Sequence, residues 1–222
     1  SLAFALLKVL RYNGIDVQLP KQRPAPVPAM YYGYQKAARK DLEYNAEYLL
    51  QAVENGRKIV CSEPSAALCL KQELRHYIDP ELAEKISANT YELMEYLEGL
   101  YKEGKLQEPV TKQEGNFGYH QPCHLFALGN NAPGFRLLKE MLDIDITDLN
   151  AGCCGLAGTF GMQKKNYQLS RAISQNLRKA LLSGNYSAVI TECAACGMQI
   201  EHISNLKTIH PIKIISRAYS LD

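Results

Sequence analysis

Apolar positions recur at helical spacing from about residue 34 to 55: Leu42, Ala46, Leu49, Leu50 and Val53 share one face, and Gly56 follows as a stop signal. Lys58 to Cys61 reads as a short strand. Glu63-Pro64 then opens a helix reaching about His76, since proline suits the first helical position. From Pro80 a further helix is predicted, with Leu82, Ile86, Leu93, Leu97 and Leu100 on one face and Gly104 at its end. Residues 105–115 are polar, contain Pro109 and Gly115, and read as a linker.

The second half begins with a strand from Phe117 to Gln121 that leads into Pro122-Cys123. A helix is expected near Phe135 to Met141 and a strand at Asp145 to Asp148. Gly152 to Gly161 is glycine-rich and predicts a tight loop. A long helix then runs to about Leu182, with Leu169, Ala172, Ile173, Leu177, Ala180 and Leu181 as its buried face. Ala188 to Thr191 is a strand, and a C-x-x-C follows it directly. Ile209 to Ile212 is a last short strand before a final helix.

Strand, helix and strand alternate in both halves. The expected fold is α/β: two repeated strand-helix-strand units, with parallel sheets flanked by helices. The expected domains are 1–105 and 116–222. Ligands in such folds gather at the carboxyl ends of strands; Cys123 and Cys193 both come just after a predicted strand, so one rim is expected to hold the whole cysteine set. A displacement of 129 positions lays Val60 on Val189, Glu63 on Glu192, Ile15 on Ile144 and Asp16 on Asp145. It also lays Pro24 and Ala25 on Cys153 and Cys154, and Pro64 and Ala67 on Cys193 and Cys196. The first half is thus expected to be a copy of the second without its thiols. The position matching Cys123 falls before Ser1, and the chain opens inside an apolar pattern (Leu2, Leu6, Leu7, Leu10), so a start inside the first repeat is expected.

Composition narrows the function classes. Apolar residues make up 46% and charged residues 22%, an ordinary balance for a globular protein. The net charge is +2 and no basic stripe is interleaved with aromatics, which argues against nucleic acid as a partner. No apolar run is long enough to cross a bilayer, and no secretory signal opens the chain.

Seven cysteines change the picture: Cys61, Cys69, Cys123, Cys153, Cys154, Cys193 and Cys196. An odd count with an adjacent pair and a C-x-x-C points to a reducing compartment and a metal or redox site, not a disulfide scaffold. A C-x-x-C at a strand-to-helix turn places two thiols on one side of a helix N-terminus, which favours the thiolate that ligates metal. Neighbouring cysteines do not readily close an unstrained disulfide with each other, and the glycines around Cys153-Cys154 let backbone approach a bulky group. Four thiolates suffice for zinc or a cubane cluster; a fifth suggests a cluster with an extra thiolate. His120 and His124 flank Cys123, as ligands or as hydrogen-bond donors beside the metal, the second role being the commoner one for such histidines. Cys61 and Cys69 read as plain buried cysteines.

At these residues the chain resembles the cysteine-rich CCG domain family. The family pattern is a cysteine, about thirty residues, Cys-Cys-Gly, thirty-odd residues, then C-x-x-C. Here 29 residues separate Cys123 from Cys153, and 38 separate Cys154 from Cys193. The phrases from Tyr119 to His124 and from Cys153 to Gly161 match closely, and the phrase from Cys61 to Leu68 looks most like members fused behind an FAD-linked oxidase. The resemblance implies a [4Fe–4S]-type cluster on Cys123, Cys153, Cys154, Cys193 and Cys196. It also implies electron transfer between a flavoprotein domain or subunit and a quinone or other acceptor. The parent enzyme would be an FAD-dependent dehydrogenase acting on a 2-hydroxy acid of the glycolate or lactate type, or on glycerol 3-phosphate. Its place would be cytoplasmic or peripheral on the inner face of the membrane. FAD is expected only outside this chain, which has no G-x-G-x-x-G, so the chain alone is not expected to oxidise substrate. One repeat with ligands argues against a mechanism that needs two clusters. The alternative is a zinc-binding structural or regulatory module. A thiol–disulfide enzyme on Cys193 and Cys196 ranks last, because it leaves Cys123, Cys153 and Cys154 unexplained.

Overall fold

The computed structural model describes residues 1–129 and 131–221. They form an α/β protein with parallel strands in two sheets. The chain divides into two compact units. One is Gln18–Tyr96; the other joins Ser1–Val17 to the chain from Leu97 onward.

The Gln18–Tyr96 unit begins with α2 (Val27–Tyr31) and the twenty-residue α3 (Gln35–Glu54). Helix α3 buries Ala38, Leu42, Asn45 and Ala46, the face its periodicity predicts. Buried Asn45 clasps the preceding segment: its Oδ1 accepts from the Arg23 backbone N at 2.7 Å, and its Nδ2 donates to the Arg23 carbonyl at 3.1 Å. Strand β1 (Ile59–Cys61) leads into α4 (Pro64–Leu68), which continues through a π turn at Cys69–Glu73 and a 3-10 turn at Leu74–His76. Helix α5 (Pro80–Ala88) starts at Asp79, whose carboxylate accepts from the backbone of Glu81 and Leu82.

The single helix expected from Pro80 to Gly104 is instead α5, strand β2 (Thr90–Glu92) and α6 (Leu93–Lys102). β2 lies parallel to β1, with Ile59 opposite Thr90 and Cys61 opposite Glu92. Two local features break the helix. Asn89 caps α5, and the Glu92 carboxylate accepts from the backbone of Met94 at 2.7 Å and Glu95 at 3.2 Å, starting α6. The apolar period carries through the break, which is why the pattern reads as continuous. The core of this unit includes Met30, Leu42, Ile59, Leu74 and Ile86.

The other unit holds a four-stranded parallel sheet in the order β4-β3-β5-β6, made of β3 (Asn116–Tyr119), β4 (Asp145–Asp148), β5 (Ala188–Ile190) and β6 (Thr208–Ile209). β3 pairs with β4 on one side and β5 on the other. The chain therefore reverses its winding between β3 and β5, and open α/β sheets bind ligands at that point. Helices α8 (Pro133–Leu142), α10 (Gln175–Ser183), α11 (Ala194–Ser204) and α12 (Pro211–Ala218) supply buried Leu137, Leu138, Leu177, Leu181, Ile200, Ile212 and Ile215.

Helix α1 (Leu2–Tyr12) packs along α12. Lys8 Nζ donates to the Leu221 carbonyl at 2.6 Å, and the Tyr12 and Tyr219 rings lie 4.8 Å apart. Glu98 on α6 takes a two-pronged hydrogen bond from Arg136 on α8, at 2.6 and 2.8 Å. The long helix expected to reach Leu182 is split at Ser174 into α9 (Tyr167–Ile173) and α10. The Ser174 hydroxyl donates to the Arg171 carbonyl, the local competition that serine brings to a helix interior. Leu177 and Leu181 are buried as expected, but Leu169 and Ile173 are exposed. The short helix α7 (Cys123–Ala127) adds an element to the expected set. No helix among the described residues is long and apolar enough to cross a membrane.

Candidate metal centre

Three loops at the carboxyl end of the sheet carry the five cysteines. After β3, the backbone N of His120 donates to the Ile190 carbonyl at 2.9 Å, which ties the residue to β5. Extended Pro122 then sets Cys123 at the first position of α7. After β4, Leu149 N donates to the Tyr119 carbonyl, and the chain turns through left-handed Asn150 (φ 38°) and Gly152 (φ 77°) into Cys153 and Cys154. Gly155 has φ 86°, and a Cβ there would lie 2.3 Å from the Ser170 carbonyl oxygen. Only glycine meets both conditions, so the loop can press against α9 while its thiols face the sheet end. After β5, Thr191 and buried Glu192 precede Cys193, the N-cap of α11, and Cys196 follows one turn later. Gly197 lets α11 approach β6, because a Cβ there would sit 2.9 Å from Thr208 Oγ1.

The five thiols form one chain of contacts. Cys153 meets Cys123 and Cys154, Cys154 meets Cys196, and Cys196 meets Cys193. Cys154 and Cys196 are buried, Cys193 is half-buried, and Cys123 and Cys153 are exposed. A cavity of about 260 Å³ opens beside the exposed pair, lined by His120, Cys123, Phe126, Asp148, Asn150 and Cys153 among others.

The electrostatics match a site built for a cation. Hydrogen bonds from Cys123 and Cys154 hold the Cys153 thiol far below the usual thiol range, aided by the Gly155 N–H at 3.3 Å. Its neighbours move the other way. Cys123 is pushed up by its bond to Cys153 and then by burial, and Cys154 is pushed up to about 11, chiefly by Cys153. Cys196 rises because it bonds Cys154 and Cys193. Without a cation, ionising one thiol suppresses the rest. A bound metal relieves that repulsion and releases the protons. Five thiols linked in this way also exceed the four donors of a structural zinc site. The donor set thus fits a multinuclear metal–sulfur group.

His120 is 2% exposed, and its Nε2 has no hydrogen-bond partner among the described residues. A ring nitrogen of His120 and the sulfurs of Cys154 and Cys196 lie within 4.8 Å of one another. Burial lowers its pKa to about 4, so the ring is neutral at neutral pH. His124 sits half-buried on α7, outside that group of three. Cys61 and Cys69 belong to the other unit, where burial pushes both thiols up to about 12. Sequence reasoning missed a polar pair beneath the site. Glu192 is fully buried and accepts from the Tyr119 hydroxyl at 2.8 Å. The signal was there: a carboxylate directly after an apolar strand and directly before the C-x-x-C.

Residues 117–201 match the model of the CCG cysteine-rich domain. The chain is 31% identical over 218 residues to a subunit of the anaerobic glycerol-3-phosphate dehydrogenase of Escherichia coli K12, covering 96% of this chain and 54% of the relative. It is 29% identical over 167 residues to lactate utilization protein A of Geobacillus sp. (strain WCH70), covering 72% and 67%. It is 23% identical over 231 residues to a subunit of the fumarate reductase (CoM/CoB) of Methanothermobacter marburgensis, covering 100% and 44%. The chain spans about half the length of the first of these relatives.

Proposed function

We propose that this chain is an iron–sulfur electron-transfer domain that serves a flavin-dependent dehydrogenase. Its substrate would be a small 2-hydroxy acid or glycerol 3-phosphate. The observation that carries this reading is the contact chain of five sulfurs, from exposed Cys123 to Cys193, at the carboxyl end of one parallel sheet. Cys123, Cys153, Cys154, Cys193 and Cys196 would hold the group, read here as a [4Fe–4S]-type cluster. When bound, such a cluster supplies one-electron transfer at a potential set by ligation, hydrogen bonding to sulfur and burial.

The chain's own residues set those conditions. Gly155 N–H donates to Cys153 Sγ and favours its thiolate. The N-terminus of α11 does the same for Cys193 and Cys196. Leu156, Leu177, Leu181 and Ile200 pack behind Cys154 and Cys196 and keep that side dry. The opposite side is open at Cys123 and Cys153, where Phe126 is 71% exposed. Electrons would pass there, from a flavoprotein domain or subunit towards a quinone or other acceptor. The names of the relatives support this reading, since two of them are subunits of a dehydrogenase and a reductase.

Anaerobic reconstitution with iron and sulfide is the test. Iron, acid-labile sulfide and a paramagnetic signal on reduction are expected together. Stoichiometric zinc without sulfide, in protein purified and kept anaerobically, would overturn the reading in favour of a zinc module.

A further inference from the structure

We propose that His120 is a ligand of the metal group, so that the buried end of the site is a nitrogen–sulfur–sulfur set of His120, Cys154 and Cys196. The proposal rests on the reading that the five cysteines hold a metal–sulfur cluster, and it adds a sixth donor to them.

Three observations meet at this residue. The first is distance: a ring nitrogen and both sulfurs lie within 4.8 Å of one another. Donors about 2.0–2.3 Å from one tetrahedral ion stand about 3.5–4 Å apart, so the three need only a small inward movement to share an ion. The second is the unmet Nε2. A buried polar atom with no partner costs about 1–3 kcal/mol, and His120 carries one while only 2% exposed. Such an atom in the wall of a thiol cluster points to a ligand that completes it. The third is fixed backbone. His120 directly follows β3, and its N–H is bonded to Ile190 at the end of β5, so the imidazole springs from the two central strands and not from a loose loop.

Burial then sorts the donors into two groups. Cys154, Cys196 and His120 are 3%, 3% and 2% exposed, whereas Cys123 and Cys153 face solvent and Cys193 is intermediate. A metal–sulfur group held in this site would meet His120, Cys154 and Cys196 on its buried side and Cys123 and Cys153 on its outer side. A neutral imidazole at this position leaves the cluster less negative than a sixth thiolate there would, and so with the higher reduction potential.

Two arms test this on the full chain. In the first, wild type, wild type labelled with 15N-histidine, His120→Cys and His120→Gln are reconstituted with iron and sulfide. Pulsed electron paramagnetic resonance of the reduced cluster should show a directly bonded nitrogen that responds to the label and is absent in His120→Cys. That variant should load iron as wild type does, with its midpoint potential shifted down. A label-insensitive spectrum, or an unchanged potential in loaded His120→Cys, overturns the proposal and leaves His120 as a hydrogen bonder; the cluster reading would survive. In the second arm, cobalt(II) alone is titrated into metal-free, reduced protein. His120→Gln should weaken binding on the order of 100-fold, and His120→Cys should restore it. Equal affinity in wild type and His120→Gln overturns the proposal. If wild type takes cobalt but forms no iron–sulfur cluster, the cluster reading fails and the cobalt titration alone decides the role of His120. Circular dichroism of each variant confirms that the fold is retained.

Discussion

The turns that follow β1 and β5 are built alike and filled differently. The two strands lie 129 residues apart in sequence. At the same displacement α1 falls on α8, and α3 falls on residues 164–183, the stretch that contains α9 and α10. Even the turns after α1 and α8 agree: Gly14 and Asp143 both sit in the left-handed region, at φ 75° and 50°. We read these correspondences as an internal repeat whose first copy lacks ligands. Ala67 stands one turn into α4 where Cys196 stands in α11, and both are buried. Pro64 and Cys193 occupy the matching helix starts. The strand–turn–helix frame therefore does not need a metal. In the Gln18–Tyr96 unit Pro64 and Ala67 are buried apolar residues, while Pro24 and Ala25 are exposed. In the other unit the same positions carry thiols, and the frame leaves two of the five exposed.

The largest expected effect comes from breaking that difference directly. Cys196→Ser should cut iron retained after anaerobic reconstitution by on the order of 10–100-fold. The reciprocal pair Pro64→Cys with Ala67→Cys should add no iron, because Pro24 and Ala25 still supply no thiol. Iron and sulfide per chain measure both. Iron gained by the pair would mean that the first unit keeps a latent site.

Core truncation sharpens the contrast at smaller cost. Leu42→Ala in α3 and Leu177→Ala in α10 each remove a fully buried side chain and should each cost about 2–5 kcal/mol. Loading the cluster should recover stability in Leu177→Ala, whose side chain packs in the cluster of residues that includes Cys154 and Cys196. It should do far less for Leu42→Ala, in the unit without the five thiols. Denaturant unfolding with and without reconstitution separates the two.

The smallest effect concerns the ion pair of Glu98 and Arg136. The Arg136 hydrogen bonds hold the Glu98 carboxyl below its ordinary pKa of 4.5. A carboxyl lowered in the folded state contributes stability above its unfolded pKa and loses it as pH falls through the lower folded value. Arg136→Ala should therefore cost about 1 kcal/mol or less at neutral pH. The gap to wild type should close in acid. Unfolding midpoints at pH 7 and pH 3 test the sign.

Much of this was legible along the chain. The face of α3, the strands at residues 59–61 and 188–190 and the glycine loop after Asp148 follow from period, propensity and turn chemistry, which are local. The five-cysteine spacing was equally plain. Strand β2 was not. Ile86, Leu93 and Leu97 keep a helical period across a three-residue strand whose pairing with β1 is a contact between distant segments. Leu169 and Ile173 were misplaced for the same kind of reason, since the break at Ser174 rotates α9 away from the face kept by Leu177 and Leu181.

By itself, then, the sequence marked the candidates for the chemistry, because thiols, glycines and proline declare themselves by type and spacing. The gathering of the cysteines on one rim was expected from the strand pattern, but tertiary structure decided which groups stand beside one another there. Parallel pairing of β3 with β4 and β5 draws three loops, far apart in the chain, to one end of the sheet. It also turns His120, one of two similar histidines beside Cys123, into the one that stands among the buried sulfurs. Burial and contact between distant segments are properties of the folded sheet, and no local pattern encodes them.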